Sequence, residues 1–280
     1  MTFMPHPYNG IQAVIATKHN KGQLVSPIFQ KLSIAISSVD VDTDQLGTFS
    51  GEIPRVGTPK EVVLKKARLG LKSDSNLFAT ASEGSIGPDP TIPFVQSDIE
   101  LMAWIDDKNG FELVESYRSF EITAERIELE SGDPIDKFLV SADFPNHSLI
   151  VKSKDSGGGV FKGINQLNNL ELAMQSLFKN HKKIIIENDL RANHSPSRQK
   201  NIAAAAEKLV ARLANLCRKC QLPGWGSVAG LYGLNCESCG QMEDKAVKGV
   251  VNGCVSCDYK EESLNDKKSI TAAECSFCNP

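Results

Sequence analysis

Nothing in this 280-residue chain is both long and apolar enough for a membrane-spanning helix, which needs about 20 consecutive apolar residues, so no membrane association is expected. The first ten residues lack the charged-then-apolar pattern of a secretion leader, and a cytoplasmic location is the corresponding expectation. Charge of one sign is missing too. With 31 Lys and Arg against 34 Asp and Glu, the net charge of -3 argues against a chain basic throughout and built to coat nucleic acid. The chain contains no GxGxxG, no HExxH and no GxSxG. Gly157-Gly158-Gly159 with Lys162 and Gly163 lacks the GxxxxGK[ST] spacing of a phosphate loop, so Ser153 to Gly163 reads as a flexible loop or lid.

Cysteine is absent from the first 216 residues, yet the remainder holds 8. They fall into four CxxC pairs: Cys217/Cys220, Cys236/Cys239, Cys254/Cys257 and Cys275/Cys278. A CxxC turn places two thiolates on one side of a knuckle, and two knuckles close a tetrahedral Zn(II) site. Four knuckles therefore make two structural zinc sites with no cysteine left over as a nucleophile. A disulfide framework belongs to an exported chain, and four redox CxxC motifs without a thioredoxin-like context would be odd. Sequential, interleaved and nested pairings all satisfy the count. Cys236-Glu-Ser-Cys239-Gly240 followed by Gly253-Cys254-Val-Ser-Cys257 reads locally like a zinc ribbon, which favours the nested pairing. The chain thus divides into a body, residues 1–215, and a zinc-binding segment, residues 216–280.

The body alternates strand and helix patterns. Residues 12–17 and 34–39 read as strands, with Ser26-Pro27 opening a helix between them. Thr58-Pro59-Lys60-Glu61 is a capping box for a helix carrying Val63, Ala67 and Leu71. Residues 77–81 form a strand leading into a polar loop, Ser82 to Pro88. Residues 99–105 and 111–117 flank Asn109-Gly110 as a hairpin, with Asp106 and Asp107 as solvated turn acids. Further on, 134–141, 165–180 and 197–216 read as helices, and 148–152 and 183–187 as strands. The fold expected is α/β, a mixed sheet with flanking helices, plus a small zinc-ribbon-like domain.

Polar loops at strand ends are where such sheets place their sites. The turn Thr17-Lys18-His19-Asn20-Lys21 offers hydroxyl, amide and ammonium groups suited to a phosphate chain. Glu52 with Arg55, followed by Lys65-Lys66-Ala67, forms a second group. Ser82-Glu83-Gly84-Ser85 forms a third, its acid placed to hold a divalent cation. A fourth runs from Glu187 to Arg198. There Arg191 and Arg198 supply fork donors, Asp189 an acid, His194 a base or base-edge donor, and Ser197 an N-cap.

Several strings resemble an uncharacterised bacterial family catalogued as domain of unknown function 6671. They are Ala16-Thr17-Lys18-His19, Asp42-Thr43-Asp44 with Gly47-Thr48-Phe49, Ala81 to Ser85, Asp189 to Ala192, Pro196 to Arg198, and Cys275 to Pro280. That resemblance covers nearly the whole chain and implies no activity. A fainter one is to the inosine triphosphatase and Maf superfamily of nucleotide pyrophosphatases. Those enzymes begin with a strand and a Thr-x-Asn-x-x-Lys turn. Thr17 and Lys21 match it loosely, with His19 in place of the asparagine. Glu52 with Lys66-Ala67, Ser82-Glu83-Gly84, and His194-Ser195 with Arg198 follow in the superfamily's order. The paired aspartates of many members are missing, and a zinc tail is foreign to their plan.

Two readings follow. In the first, the body is a Mg(II)-dependent hydrolase of a nucleoside triphosphate or related phosphorylated metabolite. Thr17, Lys18, His19, Lys21, Arg55, Lys66, Ser82 and Ser85 then hold phosphates, while Glu52 and Glu83 bind the cation. Arg191, His194 and Arg198 meet the base or the distal phosphate, and Asp189 is a catalytic acid placed to bind metal or orient an arginine. In the alternative, the zinc segment binds nucleic acid or protein without catalysis. Its lysines and arginines are interleaved with acids and its stacking aromatics are few, so no basic stripe emerges.

Overall fold

The computed structural model describes residues 5–17, 21–47, 53–73, 76–155 and 158–280. The sequence-predicted residues Lys18, His19 and Glu52 lie outside them. The first sheet contains β1 (Gln12–Ala16), β2 (Ala35–Val39), β3 (Phe78–Pro88), β4 (Gln96–Asp106) and β5 (Phe111–Ser119), in the order β2-β1-β3-β4-β5. Strands β2, β1 and β3 are parallel, and β4 and β5 continue antiparallel, giving the mixed sheet expected. Helix α1 (Lys21–Phe29) links β1 to β2, and α2 (Pro59–Ser73) carries the chain from β2 across β1 to β3. Strand β1 connects onward to β2 on one side, whereas its other neighbour β3 connects onward to β4 on the opposite side, so the switch point lies at the carboxyl ends of β1 and β3.

The sheet's pleat sorts its side chains between two cores. Ala13 and Ile15 of β1 face the core that contains α1, whereas Val14 faces Val63 and Ala67 of α2. Along β4, Met102 and Trp104 join the first core, and Ala103 and Ile105 join the second. Helix α1 begins at Lys21, five residues ahead of Ser26, and contains Pro27 in its interior. Its start is set by β1 ending at Ala16, after which Thr17 Oγ1 accepts the Lys21 backbone N–H at 3.4 Å. The capping box at α2 forms as read: Glu61 Oε2 accepts Thr58 N–H at 2.8 Å, and Thr58 Oγ1 accepts Glu61 N–H at 3.3 Å.

Between the first sheet and the last body helix lies a second unit. It comprises β6 (Arg126–Glu130), α3 (Asp136–Ser141), β7 (Leu149–Ser153), β8 (Val160–Ile164), α4 (Leu167–Phe178) and β9 (Lys183–Asn188). Its sheet, β6-β9-β7-β8, is antiparallel throughout and has its own core around Phe138, Leu149, Leu170 and Ile186. The segment expected to be a loop or lid at 153–163 therefore holds most of strand β8. Helix α5 (Pro196–Ala214) then returns to the first sheet. Its buried residues Ile202, Ala206, Leu209 and Leu213 pack on the same face as α1. The zinc segment adds β10 (Gly226–Cys236), β11 (Met242–Gly253), β12 (Lys260–Leu264) and β13 (Ser269–Ile270), in the order β12-β11-β10-β13.

Two polar stretches turn out to be core structure. Ser82 to Pro88 is not a loop: it continues β3, paired residue for residue with β4 from Phe78↔Asp106 to Pro88↔Gln96. Asp106 is not a solvated turn acid but fully buried. It accepts Tyr8 Oη–H at 2.8 Å, Asn109 N–H at 2.8 Å and the Asn109 side-chain amide at 2.7 Å. Trp104 Nε1 donates in turn to Tyr8 Oη at 3.0 Å, and Phe29 and Phe78 stack on Trp104. Tyr8→Phe leaves the ring but removes the donor to a buried carboxylate. It should lower stability by about 1–3 kcal/mol, seen as a lower denaturation midpoint at unchanged m-value.

Candidate functional site

The zinc ligands are arranged by strand register. Strands β10 and β11 are antiparallel, pairing Gly226 with Gly253 and Asn235 with Met242. The knuckle after β10 and the knuckle after β11 therefore lie at opposite ends of a hairpin about 30 Å long. They cannot share an ion, which overturns the nested pairing. Cys254 and Cys257 come back instead beside Cys217 and Cys220, while β13 runs parallel to β10 at Cys236 and brings Cys275 and Cys278 to the far end. The pairing is interleaved.

In each group the four sulfurs lie within 4.8 Å of one another, and all eight cysteines are free thiols. Tetrahedral Zn–S bonds of about 2.3 Å require S···S edges of about 3.8 Å. The distances are 3.8 Å for Cys217–Cys257, 3.6 Å for Cys220–Cys254, 3.9 Å for Cys236–Cys278 and 3.7 Å for Cys239–Cys275. Each group could hold a zinc ion. Backbone N–H groups of Cys239 and Ser238 lower the Cys236 thiol to about 7, favouring the thiolate that a metal takes. The first group is fastened to the body. Val255 packs against the main core, and Arg212 of α5, itself paired with Glu115 of β5, donates to Gly224 O at 3.2 Å.

A charged crevice occupies the switch point, where β3 and β4 run on past the end of β1. On the α2 face, Glu83 is buried, with Oε1 2.9 Å from Arg55 and Oε2 2.6 Å from Lys66. Arg55 also donates to Ser85 Oγ at 2.9 Å and to Gly84 O at 2.6 Å. On the α1 and α5 face, Lys21 Nζ donates to Ser82 Oγ at 2.9 Å. Arg198 and Glu100, both buried, pair at 2.6 Å across α5 and β4. Gly84 stands opposite Glu100, and a Cβ there would lie 2.4 Å from Glu100 Oε1 and 2.8 Å from Arg198 Nη2, so only glycine fits. Asp98, two residues along the same face, is held by Asn201 at 2.9 Å.

Burial, aided by the positive charge of Arg198, pushes the Lys21 ammonium down from 10.5 to about 7, against the opposing pull of Glu100. Burial and the neighbouring Glu100 raise the Asp98 carboxyl from 3.8 to about 7. Glu100 and Asp98 were not among the residues read from sequence. Their signal was present in β4 as an acid at every second position, Asp98 and Glu100, preceding the apolar Met102 and Trp104 on one strand face. Thr17 is buried at the same strand end.

Asp189, Arg191 and His194 form a neighbouring group at the end of β9. Asp189 is fully buried, paired with Arg191 and accepting Gly163 N–H at 3.0 Å. His194 Nδ1 lies 3.1 Å from Ser148 Oγ, and burial lowers its pKa, keeping the imidazole neutral. Arg198 joins the two groups, because its Nη1 donates to Leu190 O at 2.7 Å. Of the two acids expected to hold Mg(II), Glu52 lies outside the described residues and Glu83 is engaged by basic side chains. Both oxygens of Glu83 are taken by cations, and the two tetracysteine groups are the clusters of three or more ligating side chains among those residues.

Comparison with known proteins gives one finding. A family described as "Domain of unknown function (DUF6671)" matches residues 66–280. The match takes in β3, β4, α5 and all eight cysteines, and starts after the Thr17 turn and the Asp42–Phe49 string. No curated protein and no solved structure matches.

Cobalt(II) titration reads the knuckle pairing directly. The wild-type protein should take two equivalents into thiolate-rich tetrahedral sites. Cys217→Ser with Cys254→Ser should leave one equivalent, and Cys217→Ser with Cys275→Ser none; the nested pairing gives the reverse. A second expectation concerns Asp98. Between about pH 4 and 7 the folded chain keeps a proton that the unfolded chain has released, so this group's contribution to stability falls as pH rises. The stability of Asp98→Asn relative to wild type should therefore increase from pH 5 to pH 8 in paired denaturation curves.

Proposed function

From the premise that the chain belongs to the DUF6671 family, we propose that its body binds and hydrolyses a small phosphorylated metabolite, with a nucleoside triphosphate as the first candidate. The observation that carries this reading is the gathering of Lys21, Arg55, Lys66 and Arg198 around the carboxylates of Glu83 and Glu100 at the switch point of a parallel segment. Lys21, Arg55, Lys66 and Arg198 outnumber the acids Glu83, Glu100 and Asp98 there whenever Lys21 carries its proton. Such a crevice attracts an anion.

Arg55 is the most open of the pairs to Glu83, its side chain 32% exposed against 11% for Lys66. An arriving phosphate meets Arg55 first, and Lys21 with the Ser82 and Ser85 hydroxyls completes its cradle. Glu83 keeps Lys66 in place and orients the Arg55 fork, whose geometry suits phosphate oxygens. A phosphate beside Lys21 favours its ammonium form, so the lysine takes up a proton on binding and can return it to a leaving oxygen. Asp189 and Arg191 sit at the start of the segment leading to α5, where the remainder of the substrate would lie. No step is assigned to Mg(II), and its contribution is read from the assay.

The zinc segment is weaker support for a nucleic-acid binder. It holds seven basic residues against eight acidic ones. Arg218, Lys219 and Lys267 are paired with Glu261, Asp258 and Glu274. Trp225 and Tyr259 stack on each other.

The test is turnover of a panel of nucleoside triphosphates, canonical and deaminated, and simpler phosphate esters, with Mg(II) and with chelator. Phosphate or pyrophosphate release should fall about 100-fold or more in Arg55→Ala and Lys21→Met. Absence of turnover across the panel, together with no thermal shift from any member, would contradict the proposal.

A further inference from the structure

Three side chains away from the charged crevice form a chain of hydrogen bonds that neither the fold nor the phosphate reading requires. Asp143 and His147 lie between α3 and β7, and Ser197 is the second residue of α5. Asp143 Oδ2 is 2.8 Å from His147 Nδ1, and His147 Nε2 is 2.9 Å from Ser197 Oγ. An ionised carboxylate can only accept, so the proton between Asp143 and His147 belongs to Nδ1. That leaves the Nε2 lone pair facing the Ser197 hydroxyl. Thr123 N–H donates to Ser197 Oγ at 3.2 Å, which directs the hydroxyl's own proton to Nε2. Asn146 holds the other Asp143 oxygen at 3.1 Å.

We propose that Asp143, His147 and Ser197 constitute a second, independent site, a serine nucleophile with its base and positioning carboxylate, acting on esters or thioesters of small acyl groups. The order of the contacts is that of nucleophile, base and orienting acid. A purely structural role is met by less. The Ser197 backbone N–H already has His147 Nε2 as an acceptor at 3.2 Å, and that single bond satisfies this N–H of the helix's first turn. It explains neither the serine hydroxyl on the same nitrogen nor the carboxylate behind the ring, whose side chain remains 49% exposed. His147 is buried and locked between the two, while Ser197 is only partly covered. A cavity of about 160 Å³ opens one residue beyond Thr123, lined by Ala124, Glu125, Arg126, Asn188 and Leu190.

The chemistry balances without a cofactor. Ser197 Oγ bonds to the acyl carbon as its proton passes to His147 Nε2. The bond from that carbon to the leaving oxygen or sulfur then breaks, and the leaving group takes the proton. Water next attacks the acyl-serine, giving a proton to Nε2, and the ester bond to Ser197 breaks as Oγ is reprotonated. Asp143 stays ionised and acts as a positioning residue.

A fluorophosphonate probe reacts with activated serines and reads the site directly. The full-length, metal-loaded protein should take one covalent adduct, located on Ser197 by peptide mass spectrometry and absent in Ser197→Ala. His147→Gln should slow labelling by about 100-fold or more. Asp143→Asn should also slow it, and Asp143→Glu should recover part of the rate, which a merely structural aspartate would not require. Circular dichroism and thermal unfolding establish that each variant is folded. Wild-type protein that stays unlabelled while folded overturns the proposal, as does labelling at undiminished rate in a folded His147→Gln or Asp143→Asn variant. Neither result bears on phosphate hydrolysis at the crevice.

Discussion

Burying carboxylates on two adjacent strands is costly unless each meets a cation, and the body is organised around meeting that requirement. Glu83 on β3 and Glu100 on β4 point to opposite faces of the first sheet. Each draws a basic side chain from the helix that covers its face: Lys66 from α2 and Arg198 from α5. The pairs fix where both helices sit, and α5 in turn carries the link to the second sheet through Leu190. Removing one partner leaves a buried charge uncompensated, a loss of several kcal/mol in comparable cases. Gly84 follows from the same constraint, since the Arg198–Glu100 pair fills the space a side chain would need.

The zinc segment has a different basis. It contributes a small cluster of its own, built on Leu234, Cys236, Ile270 and Cys275, and otherwise exposes residues such as Val228, Tyr232 and Leu264. So little apolar burial cannot order 65 residues alone, and metal ligation must supply much of the folding free energy. The interleaved pairing spreads that contribution over both ends of the β10–β11 hairpin. One site anchors the segment to α5 and β5, and the other closes its tip.

Much of the fold was legible where local chemistry is strong. The α2 capping box, the Asn109-Gly110 turn and the helix at 167–178 all declare themselves by spacing. Two of the errors share a cause, since they concern polar residues whose partners are distant in sequence. Ser82 to Pro88 reads as a loop because nothing nearby says that β4 will pair with it. Asp106 reads as a turn acid because its partner Tyr8 lies 98 residues away. Strand β6 was missed despite the alternation of Ile127 and Leu129 with charged neighbours, a weak pattern over five residues. Of the site, Lys21, Arg55, Lys66, Ser82, Glu83 and Ser85 come together at the crevice and Arg198 joins them, while Asp189, Arg191 and His194 make the adjacent group. Glu100 and Asp98 escaped because their importance lies in burial, which a single sequence does not display. His147 escaped for the same reason, its two partners lying 4 and 50 residues away.

The central claim is that the switch-point crevice is an anion site whose lysine changes protonation when it fills. Calorimetric titration of inorganic tripolyphosphate at pH 8, in two buffers of different ionisation enthalpy, measures both parts at once. With Lys21 held near 7, it is largely neutral at pH 8, and a bound polyanion should draw a proton onto it. The account expects saturable binding with net proton uptake, and loss of that uptake in Lys21→Met. Absence of binding, or binding with the same proton balance in wild type and Lys21→Met, would contradict it.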